Sequence, residues 1–131
     1  MSGFTVPGVG SVAWVDLTVP DAAGVRDFYR HVVGWGSAEV NMGDYCDFNM
    51  LASGSGEVTA GVCHARGVNA GLPPVWLVYV AVADLEASMA RCRELGGGVV
   101  AGPNGMGSYG RYCVIRDPAG AHLALFEPAR G

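Results

Sequence analysis

One local pattern occurs twice in this chain, and it limits the possible folds more than any other feature. Its first copy begins at residues 12–19, which alternate in polarity and are rich in β-branched residues, as is typical of a strand. Pro20 and Asp21 then end the strand and offer a helix N-cap, and apolar residues follow at helical spacing over residues 22–33. Gly34 is typical of the residue that follows a helix. The pattern predicts a strand, a cap, a helix and a stop.

The second copy has the same order. Residues 75–82 predict a strand, Asp84 a cap, residues 85–95 an amphipathic helix, and the glycines at 96–98 its end. The two capping aspartates are about 63 residues apart, which indicates an internal repeat. Shorter strand candidates follow each helix, at residues 38–40, 45–51 and 58–64 in the first half and at 99–100, 111–116 and 122–126 in the second.

We therefore predict an α+β fold of two βαβββ modules within one domain of residues 1–131. The modules cover about residues 11–65 and 75–128, and the Gly-, Asn- and Pro-rich residues 66–74 join them. Residues 117–120, Asp-Pro-Ala-Gly, have the preferences of a type I turn between the last two strands.

Each predicted module has a sheet face that its own helix does not cover. Alternation places Trp14 and Asp16 on that face in the first strand, and Leu77 and Tyr79 on it in the strand that opens the second module. The residues predicted to face the helices are Val15, Leu17, Val19, Trp76, Val78, Val80 and Val82. Two uncovered faces of mixed aromatic and polar residues predict a cup-shaped open barrel with a small-molecule pocket.

Composition and charge exclude several classes of protein. Only 15% of the residues are charged and the net charge is −4 without a basic cluster, so nucleic acid is not an expected partner. No apolar run reaches the roughly 18 residues that span a bilayer, and no signal peptide precedes the first strand, so we expect a cytoplasmic protein with no membrane partner. The four cysteines form no CxxC pair and are expected to be reduced core thiols.

Several short segments resemble one known superfamily. Residues 16–21 (DLTVPD), 28–29 (FY) and 33–35 (VGW) resemble the first module of the glyoxalase, bleomycin-resistance and extradiol-dioxygenase proteins, the vicinal oxygen chelate superfamily. Residues 110–111 (GR), 117–120 (DPAG) and 123–125 (LAL) resemble the second module. The resemblance covers residues 11–128, and it implies paired modules and a homodimer.

Enzymes of this superfamily bind a divalent metal through His, Glu or Gln side chains. The resemblance places the ligand positions at Trp14, Leu77 and Ala124, and on or near Ala60. Indole, isobutyl and methyl groups are not metal ligands, so we expect no metal and no other cofactor. This departure argues against glyoxalase, fosfomycin-modifying and ring-cleaving activities.

Three polar residues are candidates for a functional role. Asp16 is either an arginine-paired residue at the rim of the cup or a buried carboxylate that receives a ligand donor or acts as a base. Alternation from Ala60 and Ala124 directs His64 and His122 towards the cup, as satisfied polar residues or as hydrogen-bonding or acid–base groups.

Aromatic and methionine residues form the rest of the predicted lining. They are Trp14, Phe48, Met50, Tyr79, Met106, Tyr109, Tyr112 and Phe126, with Leu77 beside them. Residues 103–110 contain four glycines and are predicted to be a mobile flap that carries Met106 and Tyr109.

The preferred functional hypothesis is a metal-free homodimer that sequesters a hydrophobic, aromatic small molecule, as antibiotic self-resistance proteins of the superfamily do. The alternative is a metal-independent isomerase, cyclase or lyase that uses Asp16 or His122 as its acid–base group. A structural or regulatory protein without a small ligand is a third possibility.

Overall fold

The computed structural model describes residues 7–129 of the chain, and these residues form eight strands and two α-helices. The first five elements are β1 (Val12–Val19), α1 (Ala22–Val33), β2 (Gly36–Asn41), β3 (Cys46–Leu51) and β4 (Val58–His64). The last five are β5 (Trp76–Ala81), α2 (Leu85–Glu94), β6 (Gly98–Gly105), β7 (Gly110–Arg116) and β8 (His122–Pro128). The mixed α+β class and the repeated βαβββ order are as predicted.

Contacts between residues divide the chain into two compact units. One unit is Trp14–Trp76, and the other contains the described residues up to Ala13 together with those from Leu77 onwards. Within residues 7–129, no helix has both the length and the apolar character needed to cross a membrane.

The predicted helix caps are present in both units. The Asp21 carboxylate accepts a hydrogen bond from the Gly24 backbone N–H at 3.0 Å, and the Asp84 carboxylate accepts one from the Ala87 N–H at 3.1 Å. Gly34 ends α1 with φ of 85°, a left-handed conformation that glycine adopts without steric cost. These local signals fix the helix starts because side-chain oxygens satisfy N–H groups that have no partner inside the helix.

In the unit Trp14–Trp76, the strands lie in the order β2-β3-β4-β1, with β1 and β4 parallel and the other pairs antiparallel. Helix α1 covers one face of this sheet. The buried residues between the helix and the sheet are Leu17, Val19, Ala22, Phe48, Met50 and Val62. The covered part of α1 is narrower than the predicted apolar face, because Phe28 and Val32 are 57% and 64% exposed.

Trp76 packs in this first unit. Its indole N–H donates a hydrogen bond to the Tyr29 hydroxyl at 3.2 Å, and its ring centroid lies 6.0 Å from that of Trp35. The prediction that Trp76 faces the second helix is therefore wrong. Trp76 is the last residue of the unit Trp14–Trp76, and it packs against the α1 core of that unit instead.

In the second unit, the strands lie in the order β5-β8-β7-β6, with β5 and β8 parallel and the other pairs antiparallel. Helix α2 packs on one face through Leu85 and Met89, which contact Cys113 of β7 and Leu125 of β8. The predicted turn before β8 is present: the Gly120 N–H donates to the Asp117 carbonyl at 2.9 Å, and the Asp117 carboxylate accepts from the Ala119 N–H at 2.8 Å.

Strand β6 is longer than predicted, and this changes the expected flap. Asn104 and Gly105 pair with Tyr112 and Arg111 of β7, so the first part of the predicted flap belongs to the sheet. The remainder is a short 3-10 turn, Gly107–Tyr109, where the Met106 N–H donates to the Gly110 carbonyl at 2.8 Å. Pairing with β7 thus gives hydrogen-bond partners to backbone groups at residues 104 and 105, although the glycines of this segment suggested a free loop.

Candidate ligand-binding site

The far face of each sheet, meaning the face turned away from the helix of its own unit, carries most of the predicted site residues. In β1, Leu17 and Val19 pack in the α1 core. Because side chains alternate along a strand, Trp14, Asp16 and Thr18 lie on the far face. The predicted facing of Trp14 and Asp16 therefore agrees with the structure, and their role in binding a ligand stays a prediction.

Asp16 is the polar centre of the first far face. It is 8% exposed, and the half-buried Trp14 donates its indole N–H to Asp16 Oδ2 at 3.3 Å. The Cys63 sulfur, on the neighbouring strand β4, lies 4.0 Å from the same oxygen. A carboxylate is costly to bury unless hydrogen bonds satisfy it, so these contacts hold Asp16 in a site that water reaches poorly.

Cys63 lies between two acidic residues. Burial raises the pKa of the Cys63 thiol far above its usual range, and the negative charges of Asp16 and Asp47 raise it further. The residue is therefore a neutral thiol at physiological pH, and it lacks the thiolate character that a nucleophile requires. It acts as a weak hydrogen-bond donor beside the carboxylates.

Asp47 fixes the end of β4. Its Oδ1 accepts a hydrogen bond from the His64 backbone N–H at 2.8 Å and lies 3.4 Å from His64 Nδ1. Sequence reasoning did not single out Asp47 or Cys63 as site residues. Because side chains alternate along β3 and β4, Asp47 and Cys63 lie on the far face, whereas Phe48 and Val62 lie under the helix. The strand pairing that brings this face next to Asp16 joins residues far apart in the chain, so the sequence alone did not show it.

Phe48, Met50 and His64 are not placed as predicted. Phe48 and Met50 are 5% and 0% exposed in the α1 core, because apolar residues of β3 pack beneath the helix. His64 lies on the same face of β4 as the core residue Val62, and its ring centroid is 6.1 Å from that of Phe48. The prediction that these three residues line a pocket is corrected accordingly.

The second far face is aromatic. Tyr79 of β5 and Tyr112 of β7 have ring centroids 5.9 Å apart, and Phe126 of β8 is paired with Tyr112. Leu77 is also buried on this face, and His122 is half-buried on the same face of β8 as Phe126. Cys113 and Leu125, which alternate with these residues, pack under α2, so the predicted facing of this set is correct.

Met106 and Tyr109 lie apart from this face along the chain, at the turn before β7. Tyr109 is 53% exposed, and its carbonyl accepts the Ala129 N–H at 2.8 Å. Met106 is half-buried. Their backbone contacts describe a hydrogen-bonded turn.

The residues at the superfamily's metal positions do not fit a metal. Trp14 uses its only polar atom to donate to Asp16, and Leu77 and Ala124 are buried side chains without donor atoms. Ala60 pairs with the core residue Met50, so it lies on the helix side, and its neighbour on the far face is Gly61, which has no side chain. A divalent cation has no ligand set at these positions.

Among residues 7–129, one group of three acidic side chains lies close enough to hold an ion. It consists of Asp84, Glu86 and Glu127. The Arg111 guanidinium contacts both Glu86 oxygens at 2.6 and 2.7 Å and Glu127 at 3.2 Å, so an internal cation already pairs with two of the three carboxylates. The cluster is a structural ion-pair network at the start of α2.

A shallow groove of about 410 Å³ lies at the β2–β3 turn and is lined by Glu39, Asn41, Gly43, Asp44, Tyr45 and Cys46. None of the predicted site residues lines this groove. The Tyr45 ring is covered by the Arg66 guanidinium, 4.1 Å from the ring centroid, and Arg66 also lies 3.6 Å from an Asp44 oxygen. The wall of the groove is therefore occupied by contacts within the protein. Trp14 and Asp16 remain the candidate ligand-binding residues.

Two successive βαβββ units, each with one helix-covered face, define an α+β protein of the vicinal oxygen chelate class. The chain belongs to the Glyoxalase/Bleomycin resistance protein/Dioxygenase superfamily, whose family model matches residues 11–125.

Curated relatives match almost the whole chain. This chain is 33% identical over 133 residues to the anthracycline biosynthesis protein DnrV of Streptomyces peucetius, and the match covers 90% of this chain and 47% of DnrV. It is 31% identical over 122 residues to CFP32 of Mycobacterium tuberculosis, with 92% and 47% covered. The chain thus spans about half the length of these relatives.

Solved structures share the fold at low sequence identity. The match to the methylmalonyl-CoA epimerase of Mycobacterium tuberculosis covers 99% of this chain and 94% of the epimerase chain. Its TM-score is 0.56, and the two sequences are 20% identical. This likeness concerns the fold alone.

Proposed function

We propose that this chain binds a planar, mainly apolar small molecule without a metal ion, and that the Trp14 indole beside Asp16 is the binding surface. The observation that carries the proposal is the 8% exposed Asp16 carboxylate, held by the Trp14 N–H on the far face of β1. The indole supplies flat apolar area, and the carboxylate supplies one polar anchor. That combination is typical of small-molecule sites.

The chemistry of the site suggests the class of ligand. Because the indole N–H is directed at Asp16, the side of the ring away from Gly61 is left for stacking, while the carboxylate accepts a hydrogen bond from a hydroxyl or amine of the ligand. DnrV and DauV are named for anthracycline biosynthesis. A hydroxylated fused-ring aromatic would satisfy both parts of the site, so we infer this class of ligand for the present chain.

Sequestration requires no further group. Trp14, Ala60, Leu77 and Ala124 have no metal-ligating atom, which supports binding without Lewis-acid chemistry, and the protonated Cys63 thiol offers no nucleophile. We propose that the protein holds its ligand away from other cellular targets, as an antibiotic self-resistance protein would.

The test is titration of the protein with a dihydroxyanthraquinone, followed by tryptophan fluorescence and calorimetry. Trp14→Ala should lose about 2 kcal/mol of binding free energy, roughly a 30-fold weaker affinity, which is the size of an aromatic hot spot. This variant should still fold, because Leu17 and Val19 fill the α1 core, but loss of the hydrogen bond to the buried Asp16 should lower its unfolding midpoint in urea.

Trp76→Phe is the matched control, since Trp76 lies with Tyr29 and Trp35 beside α1. Its ligand affinity should match that of the parent. Equal affinity of Trp14→Ala and the parent would contradict the proposal, as would a loss of affinity confined to Trp76→Phe.

The buried carboxylate also favours a second candidate function, a metal-independent isomerase, cyclase or lyase in which Asp16 moves a proton. His122, the other predicted acid–base group, is half-buried at the start of β8. If the chain converts its ligand, Asp16→Asn should abolish turnover while affinity changes less than tenfold. Product formation that survives Asp16→Asn would exclude Asp16 as the acid–base group.

A further inference from the structure

We propose that Gly61 is a positioning residue for the ligand-binding indole: the missing side chain at Gly61 lets the Trp14 ring approach β4 closely and reach Asp16. This inference rests on the proposed function of the Trp14 site, and it adds the residue that sets the pose of the indole. Gly61 is buried and pairs with Asp16 in the parallel β1–β4 ladder.

The space above Gly61 is filled by the site itself. A Cβ atom on Gly61 would lie 3.0 Å from Trp14 Cζ2, 3.6 Å from Trp14 Cε2 and 3.1 Å from Asp16 Cβ. Carbon atoms in contact ordinarily stand about 3.5–4.0 Å apart, so an added methyl group would overlap both site residues. Any larger side chain would overlap them more.

The backbone conformation of residue 61 does not explain why this residue is a glycine. Gly61 is absent from the glycines with positive φ among the described residues, and it lies in the middle of a regular strand. Any L-residue can adopt such a conformation. The requirement for glycine therefore comes from the two neighbouring side chains.

Of these two neighbours, the indole is the one that can move. Asp16 Cβ is fixed by the β1–β4 ladder, whereas the Trp14 side chain rotates about its own bonds. The part of the indole nearest Gly61 includes Cε2, a ring carbon that is bonded to the N–H nitrogen Nε1. Displacing this part would draw the N–H away from Asp16 Oδ2, now 3.3 Å distant, and tilt the stacking surface.

Three measurements on Gly61→Ala test this inference. The first is the indole N–H resonance of Trp14 in a nitrogen-15 correlation spectrum, identified by its loss in Trp14→Phe. In Gly61→Ala this resonance should shift, because displacement of the indole lengthens its hydrogen bond to Asp16, while those of Trp35 and Trp76 stay in place.

The second measurement is a double-mutant cycle in urea. Gly61→Ala should raise the unfolding equilibrium constant at least about fivefold more in the parent than in Trp14→Phe, whose ring lacks the Cζ2 atom that lies over residue 61. If Gly61→Ala alone does not fold, the variant with both changes should fold, because the overlap with the indole is gone and only the 3.1 Å approach to Asp16 Cβ remains.

The third measurement is affinity for the dihydroxyanthraquinone. Gly61→Ala should weaken it about tenfold, whereas Gly36→Ala should stay within about twofold. Gly36 is the matched control because its added Cβ would lie 3.7 Å from Leu51 Cβ, an ordinary contact in the same sheet.

The outcomes separate the two proposals. If the parent does not bind the probe, the proposed function fails, while the resonance and the double-mutant cycle still decide the role of Gly61. An unchanged Trp14 resonance, additive effects in the cycle, or failure of the doubly changed variant to fold would overturn the inference. Probe binding by Gly61→Ala as tight as that of the parent would overturn it too, with the proposed function intact.

Discussion

Among single residues, Arg111 forms the shortest ion pair in the described part of the chain, at 2.6 Å from Glu86. Its guanidinium lies against both oxygens of Glu86, and this hydrogen bonding lowers the pKa of Glu86 to about 2. Glu127, which also contacts Arg111, accepts the Leu85 N–H at 2.8 Å at the start of α2. The arrangement joins β7 and β8 to the first turn of the helix.

The lowered pKa predicts how acid affects stability. Because the folded-state pKa of Glu86 lies below its ordinary value of 4.5, its contribution is present above about pH 4.5 and is lost as the pH falls towards 2. Glu86→Gln should therefore be less stable than the parent at pH 7, and the difference should vanish near pH 2. Urea unfolding midpoints measured across this range check it.

Glu94→Gln serves as the control for this experiment. Glu94 lies on the same helix and has only a 3.8 Å contact with Arg91, so its loss should change the midpoint little. A difference between Glu86→Gln and the parent that persists below pH 2 would show that the carboxylate charge is not responsible.

The side chains at the superfamily's metal positions predict a second measurable property. Because Trp14, Ala60, Leu77 and Ala124 offer no ligand atoms, we expect purified protein to hold less than one divalent metal per chain. Chelators should leave its melting temperature unchanged. Elemental analysis showing one tightly held zinc, iron or nickel ion per chain would refute this prediction.

At the scale of elements, helix α1 is held on its sheet partly by an aromatic cluster. Tyr29 of the helix lies 5.2 Å from the Trp76 ring and 5.9 Å from the Trp35 ring, measured between centroids. The Trp76 N–H donates to the Tyr29 hydroxyl, so the cluster combines apolar contact with a satisfied polar pair.

Truncating this cluster should therefore loosen the packing of α1. We expect Trp76→Ala to lower the free energy of unfolding by about 3 kcal/mol, as a large aromatic truncation does, and Tyr29→Phe by about 1 kcal/mol through loss of the hydrogen bond. Chemical denaturation of the three proteins measures both values. A loss for Trp76→Ala no greater than that for Tyr29→Phe would show that the packing contributes little.

For the whole molecule, we expect a homodimer. Only 15% of the residues are charged, and Phe28 and Val32 of α1 expose more than half of their surface, which leaves apolar area to bury. Such an interface should cover more than about 1,000 Å². Static light scattering at micromolar concentration should give twice the mass of the chain, and a monomer mass would contradict the expectation.

The sequence by itself determined the features that depend on neighbours along the chain. Alternation identified β1 and β4 with the bounds that the structure shows, and Asp21, Gly34 and Asp84 marked the helix ends. These signals are readable because period, capping and backbone conformation are local physical properties. They also placed Trp14 and Asp16 together on one face of β1.

Only the tertiary structure decided which strands meet and what lies beneath each helix. Alternation separates the two faces of β3, but contact with α1 decides that Phe48 and Met50 are core residues and not pocket lining. The pairing of Asp16 with Gly61 joins residues far apart in the chain, and Trp76 packs on α1 across a similar distance. Strand register and helix docking are set by the free energy of burying all these surfaces together, which no local pattern records.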